Sequence, residues 1–248
     1  MSPSIKVLIL GAASGIAEAT ARLYAKEGAI IGLAGRNIER LNQIADDLKT
    51  RGAGRVEIFE ADFLTADPIS TLAHAREALG GLDHILLAYG VLGDQSEAER
   101  SLEAARSIID VNFRSAAAWS IAAASLLEQQ GMGSLVVLGS VAGDRGRRSN
   151  YIYGAAKGGL GILLQGISHR FAGKGPRAVI VKPGPTDTAM TKAMTKGGPL
   201  WASPDAVAKI VRRAADRGGP VVYAPARWRL IMLIIRAVPS AIFNKMNF

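Results

Sequence analysis

Short runs of aliphatic and β-branched residues alternate along the chain with longer segments rich in Ala, Leu, Glu and Lys. The longer segments predict helices, among them 17–27, 39–49, 98–110 and 154–171. The short runs predict about seven strands, at 5–10, 30–34, 56–59, 84–88, 135–138, 178–181 and 221–223. Strands that alternate with helices pair in parallel and are covered on both faces. We therefore expect an α/β fold built on a single Rossmann-type, doubly wound parallel sheet.

The organisation of the chain predicts one domain over 1–248. No repeat, low-complexity segment or Pro/Gly/Ser linker interrupts the pattern of strands and helices. The final segment, 226–248, contains Trp228, Phe243 and Phe248 and is more apolar than a surface tail. It must be covered by another surface.

The composition of the chain limits the cellular compartments and the classes of partner that we expect. The chain has no cysteine, which excludes disulfides and thiolate metal sites and fits a reducing compartment. The apolar run at 7–10 is too short for a signal-peptide core, so we expect a cytoplasmic location. The net charge of +9 indicates attraction to anions. The basic residues form no tract with interleaved aromatics, so we do not expect nucleic acid as a partner. The three histidines are isolated, so no metal is expected.

A glycine-containing turn follows the first predicted strand, in the segment Gly11-Ala-Ala-Ser14-Gly15-Ile16-Ala17. Such a turn brings the backbone close to a pyrophosphate, whose charge is met by the amides at the start of the next helix. The Ser14 hydroxyl is a candidate for one further phosphate hydrogen bond. By itself this motif is weak evidence, because glycine turns after strands are common in α/β proteins.

The end of the second strand carries Arg36 and no acidic residue. A carboxylate at this place would hold the ribose hydroxyls of NAD, whereas an arginine suits a 2′-phosphate. We therefore favour NADP(H), with NAD(H) as the alternative and an ordinary surface arginine as the unexceptional interpretation. Asp62 and Phe63, after the third strand, are candidates to hydrogen-bond and flank the adenine.

Candidate acid–base chemistry lies in Tyr153-Gly-Ala-Ala-Lys157, where a spacing of four residues puts both side chains on one face of a helix. A neighbouring ammonium stabilises a phenolate, so we expect Lys157 to lower the pKa of Tyr153. Ser140 follows the predicted strand 135–138, at the edge where open sheets bind ligands. Asn112, on a predicted helix, is a candidate to anchor a water that links Lys157 to solvent.

Together, these motifs and their order resemble the short-chain dehydrogenase/reductase family. The resemblance implies hydride transfer between a nicotinamide cofactor and a ketone or secondary alcohol, with Asn112, Ser140, Tyr153 and Lys157 catalytic. It also implies dimers or tetramers. The implied cofactor residues are Gly11, Ser14, Gly15, Ile16, Arg36, Asp62, Phe63, Ala88, Gly90, Tyr153, Lys157, Pro183, Gly184, Thr186 and Thr188. The last four form the Pro-Gly loop that holds the nicotinamide carboxamide in this family.

The chain departs from the family pattern at three places. The family usually has Thr before the first glycine and a third glycine in the turn, where this chain has Leu10 and Ala17. The family's Asn-Asn-Ala-Gly segment is here Leu87-Ala-Tyr-Gly90. These changes concern the packing of the cofactor, while the acid–base residues are complete.

Two features bear on the substrate. Arg145, Arg147 and Arg148 lie between Ser140 and Tyr153, where guanidinium groups are candidates to bind a phosphate. In the tail, 230–235 is too short to span a bilayer, but Trp228 among arginines suits a membrane interface. In the alternative, the tail packs as a helix over the substrate cleft or at a subunit interface, with Trp228 and Phe243 buried.

Both features are similar to the decaprenylphosphoryl-2-keto-erythro-pentose reductase branch of the family, as are Tyr89-Gly-Val-Leu-Gly-Asp94 and Tyr223-Ala-Pro225. This resemblance implies a keto-sugar carried on a polyprenyl phosphate and peripheral membrane contact. One alternative is a reductase of free ketones, 3-oxoacyl thioesters or steroids. Another is a non-catalytic sensor that binds a dinucleotide on the same fold.

Overall fold

The fold is taken from a computed structural model that describes residues 4–192, 194 and 197–246. Within them, seven strands form one parallel sheet in the order β3-β2-β1-β4-β5-β6-β7. The strands are β1 (Lys6–Leu10), β2 (Ile30–Gly35), β3 (Arg55–Glu60), β4 (His84–Leu87), β5 (Ser134–Leu138), β6 (Arg177–Pro183) and β7 (Val221–Ala224). The predicted doubly wound α/β fold is confirmed.

Helices connect the strands in chain order. They are α1 (Gly15–Lys26), α2 (Ile38–Thr50), α3 (Pro68–Leu79), α4 (Gln95–Ala98), α5 (Leu102–Ile109), α6 (Ala116–Gln130), α7 (Tyr151–Arg170), α8 (Pro204–Arg217), α9 (Arg227–Ala237) and α10 (Ser240–Phe243). Short 3-10 turns occupy Val141–Asp144 and Ala189–Thr191.

The core has one layer on each face of the sheet. On one face, side chains such as Ala21 of α1 and Val211 of α8 pack on β1 and β6. On the other face, Trp119 of α6 and Leu160 of α7 are fully buried against the central strands. Burying apolar area on both faces is the main favourable contribution to this fold, and it leaves the strand ends for the site.

The predicted helix 98–110 was wrong in its bounds. Ser101 caps α5 by accepting a hydrogen bond from the amide of Ala104, so the chain turns before that helix begins. Past Ile109 the helix continues through a π-helical stretch, Asp110–Ser115, into α6. Asn112 lies in that π-helical stretch, a local geometry that is frequent at functional sites.

The C-terminal segment folds back as α9 and α10 over the turns that follow β5 and β6. Trp228 is only 6% exposed and packs with Val141 and Met232. Phe243 is half-buried against the Arg145 guanidinium, whereas Phe248 lies outside the described residues. For Trp228 and Phe243 the packing alternative therefore holds, because their rings lie against the protein. No helix among the described residues is long and apolar enough to cross a bilayer.

Candidate active site

Glycines bring the turn after β5 into contact with α7. The space for a Cβ on Gly143 is occupied by the backbone of α7, 2.6 Å from the nitrogen of Gly158. A Cβ on Gly154 would lie 2.8 Å from the carbonyl oxygen of Ala142. Because these two backbones touch without side chains between them, Ser140 at the start of the turn comes within reach of Tyr153 on the helix.

Ser140 and Tyr153 are joined by a hydrogen bond that acts to lower the pKa of the phenol. Burial acts in the opposite direction and is the larger effect, so the pKa of Tyr153 lies above its ordinary value. The sequence-based expectation of a lowered pKa is therefore wrong for the site as it stands. The reason is that Tyr153 is only 8% exposed.

Lys157 lies one helical turn beyond Tyr153, and its side chain is buried. Its ammonium donates a hydrogen bond to the carbonyl oxygen of Leu138 at 3.0 Å and lies 6.0 Å from the centre of the Tyr153 ring. Burial lowers the pKa of Lys157 to about 8. The lysine is thus fixed at the end of β5, next to the turn that carries Ser140.

Asn112 is fully buried and is held by backbone groups. Its amide nitrogen donates to the carbonyl oxygens of Val91 at 2.7 Å and Ile108 at 2.9 Å. A Cβ on Gly90 would lie 2.7 Å from the Asn112 side-chain oxygen and 3.4 Å from Lys157 Nζ. Asn112 and Lys157 therefore converge on Gly90, with no room for a larger residue there.

The predicted pyrophosphate site lies at the start of α1, beside the point where the strand order reverses between β1 and β4. Ser14 caps the helix by accepting from the amide of Ala17 at 3.4 Å. The amides of Gly15 and Ile16 have no backbone acceptor within the described part of the chain. Two free amides at the start of a twelve-residue helix fit the phosphates of a dinucleotide.

The Pro-Gly loop lies beside the predicted pyrophosphate site. A Cβ on Gly15 would lie 3.3 Å from the methyl group of Thr188, so this loop and the glycine turn approach closely. Thr186 is buried and its hydroxyl donates to the Gly184 carbonyl oxygen at 3.0 Å, while its own carbonyl oxygen accepts from the Thr191 hydroxyl at 2.6 Å. Pro183 ends β6 and Ala88 follows β4, so both lie at the same edge of the parallel sheet as the glycine turn that follows β1.

The residues predicted near the adenosine divide into two groups. Arg36 is exposed beyond the end of β2 and has no polar partner among the described residues, which leaves its guanidinium free for a ligand. Asp62 accepts from the amide of Leu64 at 3.0 Å, and Phe63 stacks on Tyr89 with ring centres 4.4 Å apart. Tyr89 belongs to the segment that departs from the family pattern, so this departure gives Phe63 a partner within the protein.

The three arginines predicted for the substrate differ in their contacts. Arg145 donates to carbonyl oxygens at the end of α9, including that of Val238 at 2.6 Å. Arg148 donates to the carbonyl oxygen of Asn244 at 3.1 Å. Arg147 is half-buried and has no polar partner within the described ranges, and burial lowers its pKa. Of the three, Arg147 is therefore the one free for an anion.

Sequence reasoning missed a buried polar group beside the site, formed by Asp144, Lys182 and Tyr223. Asp144 pairs with the ammonium of Lys182 and accepts a hydrogen bond from the Tyr223 hydroxyl at 2.6 Å. Lys182 next to Pro183-Gly184 was the available signal, because a lysine within a buried strand requires a partner. In the described part of the chain, no group of three His, Asp or Glu side chains is arranged to hold a metal.

Comparison with known proteins identifies the family. The short chain dehydrogenase family model matches residues 6–198. The chain belongs to the short-chain dehydrogenase family. The match includes the glycine turn, the Ser140 turn, the Tyr153/Lys157 pair and the Pro-Gly loop. The protein is accordingly an oxidoreductase dependent on a nicotinamide cofactor.

Relatives within the family align with nearly the full length of the chain. An uncharacterized oxidoreductase of Streptomyces coelicolor is 34% identical over 98% of this chain and 96% of its own length. Another, of Mycobacterium tuberculosis, is 36% identical over 97% of this chain and 96% of its own length. Because both alignments extend past the family model, the C-terminal segment is included in them.

Solved structures share the fold. A variant of the actinorhodin polyketide ketoreductase, solved with NADPH, superposes with a TM-score of 0.79 at 20% identity, over 90% of this chain and 97% of that chain. A short-chain type dehydrogenase/reductase from Mycobacterium ulcerans superposes with a TM-score of 0.80 at 19% identity, over 99% of this chain and 100% of that chain. At these identities the comparison concerns the fold.

Proposed function

We propose that this protein is an NADPH-dependent reductase of a lipid-linked ketone that carries a phosphate, of which a keto-sugar on a polyprenyl phosphate is the substrate we favour. The observation that carries the proposal is Arg147. Its guanidinium is half-buried without an ionic partner among the described residues, between Ser140 and Tyr153 in the chain. A partly desolvated guanidinium is stabilised most by an anion, such as a phosphate, that accepts two of its hydrogen bonds at once.

In the proposed reaction, Tyr153 donates its proton to the carbonyl oxygen as the carbon receives a hydride. The cofactor supplies that hydride when bound. Ser140 holds the same oxygen by a hydrogen bond and orients it toward the phenol. Lys157 carries a positive charge beside the phenol, and Asn112 keeps the adjoining loop in place. A raised pKa of Tyr153 suits this direction, because the phenol must be protonated to act as the acid.

The preference for NADPH rests on Arg36. No carboxylate stands at the end of β2, and the exposed Arg36 has no partner within the described residues. A 2′-phosphate offers this guanidinium two oxygens at once, whereas NADH offers only hydroxyls.

The test is a panel of ketones assayed with NADPH and with NADH. We expect the highest kcat/KM for a keto-pentose on a polyprenyl phosphate, a lower value for the same sugar on a short-chain phosphate, and the lowest for the free sugar. An Arg147→Gln variant should lose the preference for phosphate and keep turnover of the free sugar. Equal kcat/KM for phosphorylated and free ketones would refute the proposal.

The competing function is reduction of a free ketone, a 3-oxoacyl thioester or a steroid. The apolar cluster of Val141, Trp228 and Met232 beside Ser140 favours this alternative, because buried apolar side chains next to the reacting groups suit an apolar ketone better than a charged one. A steroid or thioester turned over faster than any phosphorylated ketone in the same panel would establish it. Retention of full cofactor binding without turnover of any ketone would support a dinucleotide sensor.

We also propose peripheral contact with an anionic membrane through the outer face of α9 and α10, called here the tail face. Its members are the exposed Leu230, Leu233, Ile234 and Ile242. The chain contains five basic and no acidic residues after Asp216, so the charge is complementary to anionic lipid. Trp228 does not contribute, because it is buried. The cytoplasmic leaflet carries anionic lipid. A chain without cysteine fits the reducing compartment on that side of the membrane.

Flotation with vesicles tests the tail face. The wild-type chain should float with vesicles of phosphatidylglycerol and phosphatidylcholine, and not with phosphatidylcholine alone. A Leu230→Ser/Leu233→Ser double variant should remain at the bottom of the gradient. The control is Ile69→Ser, which changes an equally exposed apolar residue on α3. If the double variant floats like wild type, or only changes the size of the oligomer, the membrane proposal fails.

Self-association completes the proposal. Ile162 on α7 is 74% exposed and Ile121 on α6 is 49% exposed, and apolar patches of this kind favour contact between subunits. We expect a dimer or tetramer by sedimentation velocity. An Ile162→Asp variant should shift the distribution toward monomer.

A further inference from the structure

The group formed by Asp144, Lys182 and Tyr223, called here the Asp144 cluster, has no part in the acid–base chemistry described above. The Asp144 and Lys182 side chains are 3% and 10% exposed and are paired. The second carboxylate oxygen accepts from the Tyr223 hydroxyl, and burial and Asp144 raise the pKa of Tyr223 to about 12. Both oxygens of Asp144 are therefore fixed, one from β6 and one from β7.

The cluster is not explained by stability alone. A buried ion pair loses solvation on folding, and an apolar pair of similar size is often as stable or more so. What such a pair does provide is a fixed orientation, because both oxygens of the carboxylate have specific partners.

Asp144 ends the 3-10 turn that begins directly after Ser140. The next residue, Arg145, donates to the carbonyl oxygens of Ile235 and Val238 at the end of α9. Its guanidinium also lies 3.8 Å from the centre of the Phe243 ring. A cation at a helix C-terminus satisfies free carbonyls and interacts favourably with the helix dipole. Asp144 thus stands between the turn of Ser140 and the residue that holds α9.

The inner side of α9 lies on the candidate site. Trp228 and Met232 pack on Val141, the neighbour of Ser140. The indole nitrogen of Trp228 occupies the space of a Cβ on Gly184, at 1.9 Å from where that atom would lie. The helix therefore covers both the turn of Ser140 and the loop predicted to hold the nicotinamide.

We propose that Asp144 is a positioning residue of this enzyme: held by Lys182 and Tyr223, it fixes the turn of Ser140 and directs Arg145 to the end of α9, which keeps that helix closed over the reacting ketone. This inference rests on the proposed function. It assigns the Asp144 cluster a role in the binding and orientation of the ketone, whereas the phosphates of the dinucleotide are predicted to bind at the start of α1.

The first test compares Asp144→Asn and Arg145→Gln with Arg55→Gln. Arg55 is a matched control, because it donates to the carbonyl oxygen of Ala78 at the end of α3, far from the site. For the ketone that the wild type reduces best, kcat/KM should fall about tenfold or more in the first two variants, the size expected from losing one charged hydrogen bond. The Kd for NADPH should stay within about twofold, and the control should match wild type.

The double variant Asp144→Asn/Arg145→Gln tests whether the two residues act in one chain of contacts. Residues that share one network give a non-additive double-mutant cycle, so the double variant should be no worse than the poorer single variant. Two effects that multiply would overturn the proposal. So would a folded Asp144→Asn protein with wild-type kcat/KM.

Asp144→Asn leaves Lys182 buried without its counter-ion, so of these variants it is the one at greatest risk of not folding. Tyr223→Phe is the milder variant, since it removes one hydroxyl and keeps the ion pair. It should lower kcat/KM about three- to tenfold, because one hydrogen bond to the carboxylate is lost while Lys182 still holds Asp144. A purely structural role would lower its melting temperature and leave kcat/KM of the folded protein unchanged.

Amide hydrogen exchange over residues 227–237 separates this inference from the proposed function, because it needs no substrate. Exchange should be faster in Arg145→Gln and Tyr223→Phe than in wild type, and unchanged in Arg55→Gln. Wild-type exchange in both variants would overturn the link between Asp144 and α9. If exchange rises while no phosphorylated ketone is reduced, the link stands and the substrate proposal fails.

Discussion

The Lys157 ammonium lies 6.0 Å from the centre of the Tyr153 ring and donates a hydrogen bond to the Leu138 carbonyl oxygen. The contact ties the helix of the phenol to the strand that precedes Ser140. Both residues are buried, and burial moves their pKa values in opposite directions, up for the phenol and down for the ammonium. This difference in direction determines how the two residues should respond to substitution and to pH.

Replacing Tyr153 by Phe removes the proposed proton donor and little else. Because a positioned general acid contributes about 10²- to 10⁴-fold, we expect kcat to fall by at least about a hundredfold. NADPH binding, followed by fluorescence titration, should remain. Tyr151→Phe is the control, since Tyr151 lies on the same helix and is exposed; retained turnover in Tyr153→Phe would refute the mechanism.

The pH profile of kcat/KM should report Lys157. Burial lowers the pKa of this ammonium to about 8, so the lysine loses its proton, and the site its positive charge, as the pH rises past that value. We expect kcat/KM for ketone reduction to be constant below this pKa and to fall above it. A Lys157→Met variant should show low activity without this descending limb. A wild-type profile that stays level to pH 9.5 contradicts the role of the ammonium.

Arg36→Ser should change the choice of cofactor. If the guanidinium binds the 2′-phosphate, KM for NADPH should rise about tenfold, the value of one charged hydrogen bond. KM for NADH should change little, because NADH lacks that phosphate. Arg51→Ser serves as the comparison, because Arg51 is an exposed arginine at the opposite end of α2, where it pairs with Asp47. Equal changes for both cofactors would mean that Arg36 is an ordinary surface arginine.

Gly143→Ala should displace the turn of Ser140. The added methyl would lie 2.6 Å from the Gly158 nitrogen, and overpacking against backbone costs about 1–3 kcal/mol. We expect a lower free energy of unfolding and a larger loss of kcat than of NADPH affinity. The matched change Gly146→Ala meets no atom within 4 Å and should behave as wild type. Full activity in Gly143→Ala would show that the turn tolerates movement.

His84 should make the protein less stable in acid. Burial, with a smaller contribution from Arg212, lowers the pKa of His84 to about 4. Between this value and the ordinary pKa of about 6.5, the unfolded chain binds more protons, so stability falls as the pH falls through that window. We expect a loss of about 2 kcal/mol between pH 7 and pH 5 from this group.

Urea denaturation at the two pH values measures that loss. A His84→Gln variant should show a smaller difference between pH 7 and pH 5 than wild type. His74→Gln provides the comparison, because His74 is exposed on α3. The assignment to His84 fails if both variants keep the wild-type pH dependence.

The sequence by itself determined the order of the strands and helices and the identity of the acid–base residues. Alternation of short apolar runs with longer Ala- and Leu-rich segments indicates strands and helices, because a short continuous apolar run fits a strand buried on both faces and a longer segment fits a helix that covers the sheet. Tyr153 and Lys157 were recognisable because a spacing of four residues has a fixed geometric meaning in a helix. The break at Ser101 was missed, because a single capping residue does not alter the apolar pattern of its neighbours.

Only the tertiary structure decided which groups meet across the chain. Arg145, Arg147 and Arg148 are equivalent in sequence, yet two of them contact the tail and Arg147 alone remains without a partner among the described residues. The pairing of Asp144 with Lys182 joins positions 38 residues apart, and burial reversed the expected pKa shift of Tyr153. Burial and long-range partners depend on how the layers pack, and no local spacing encodes that packing.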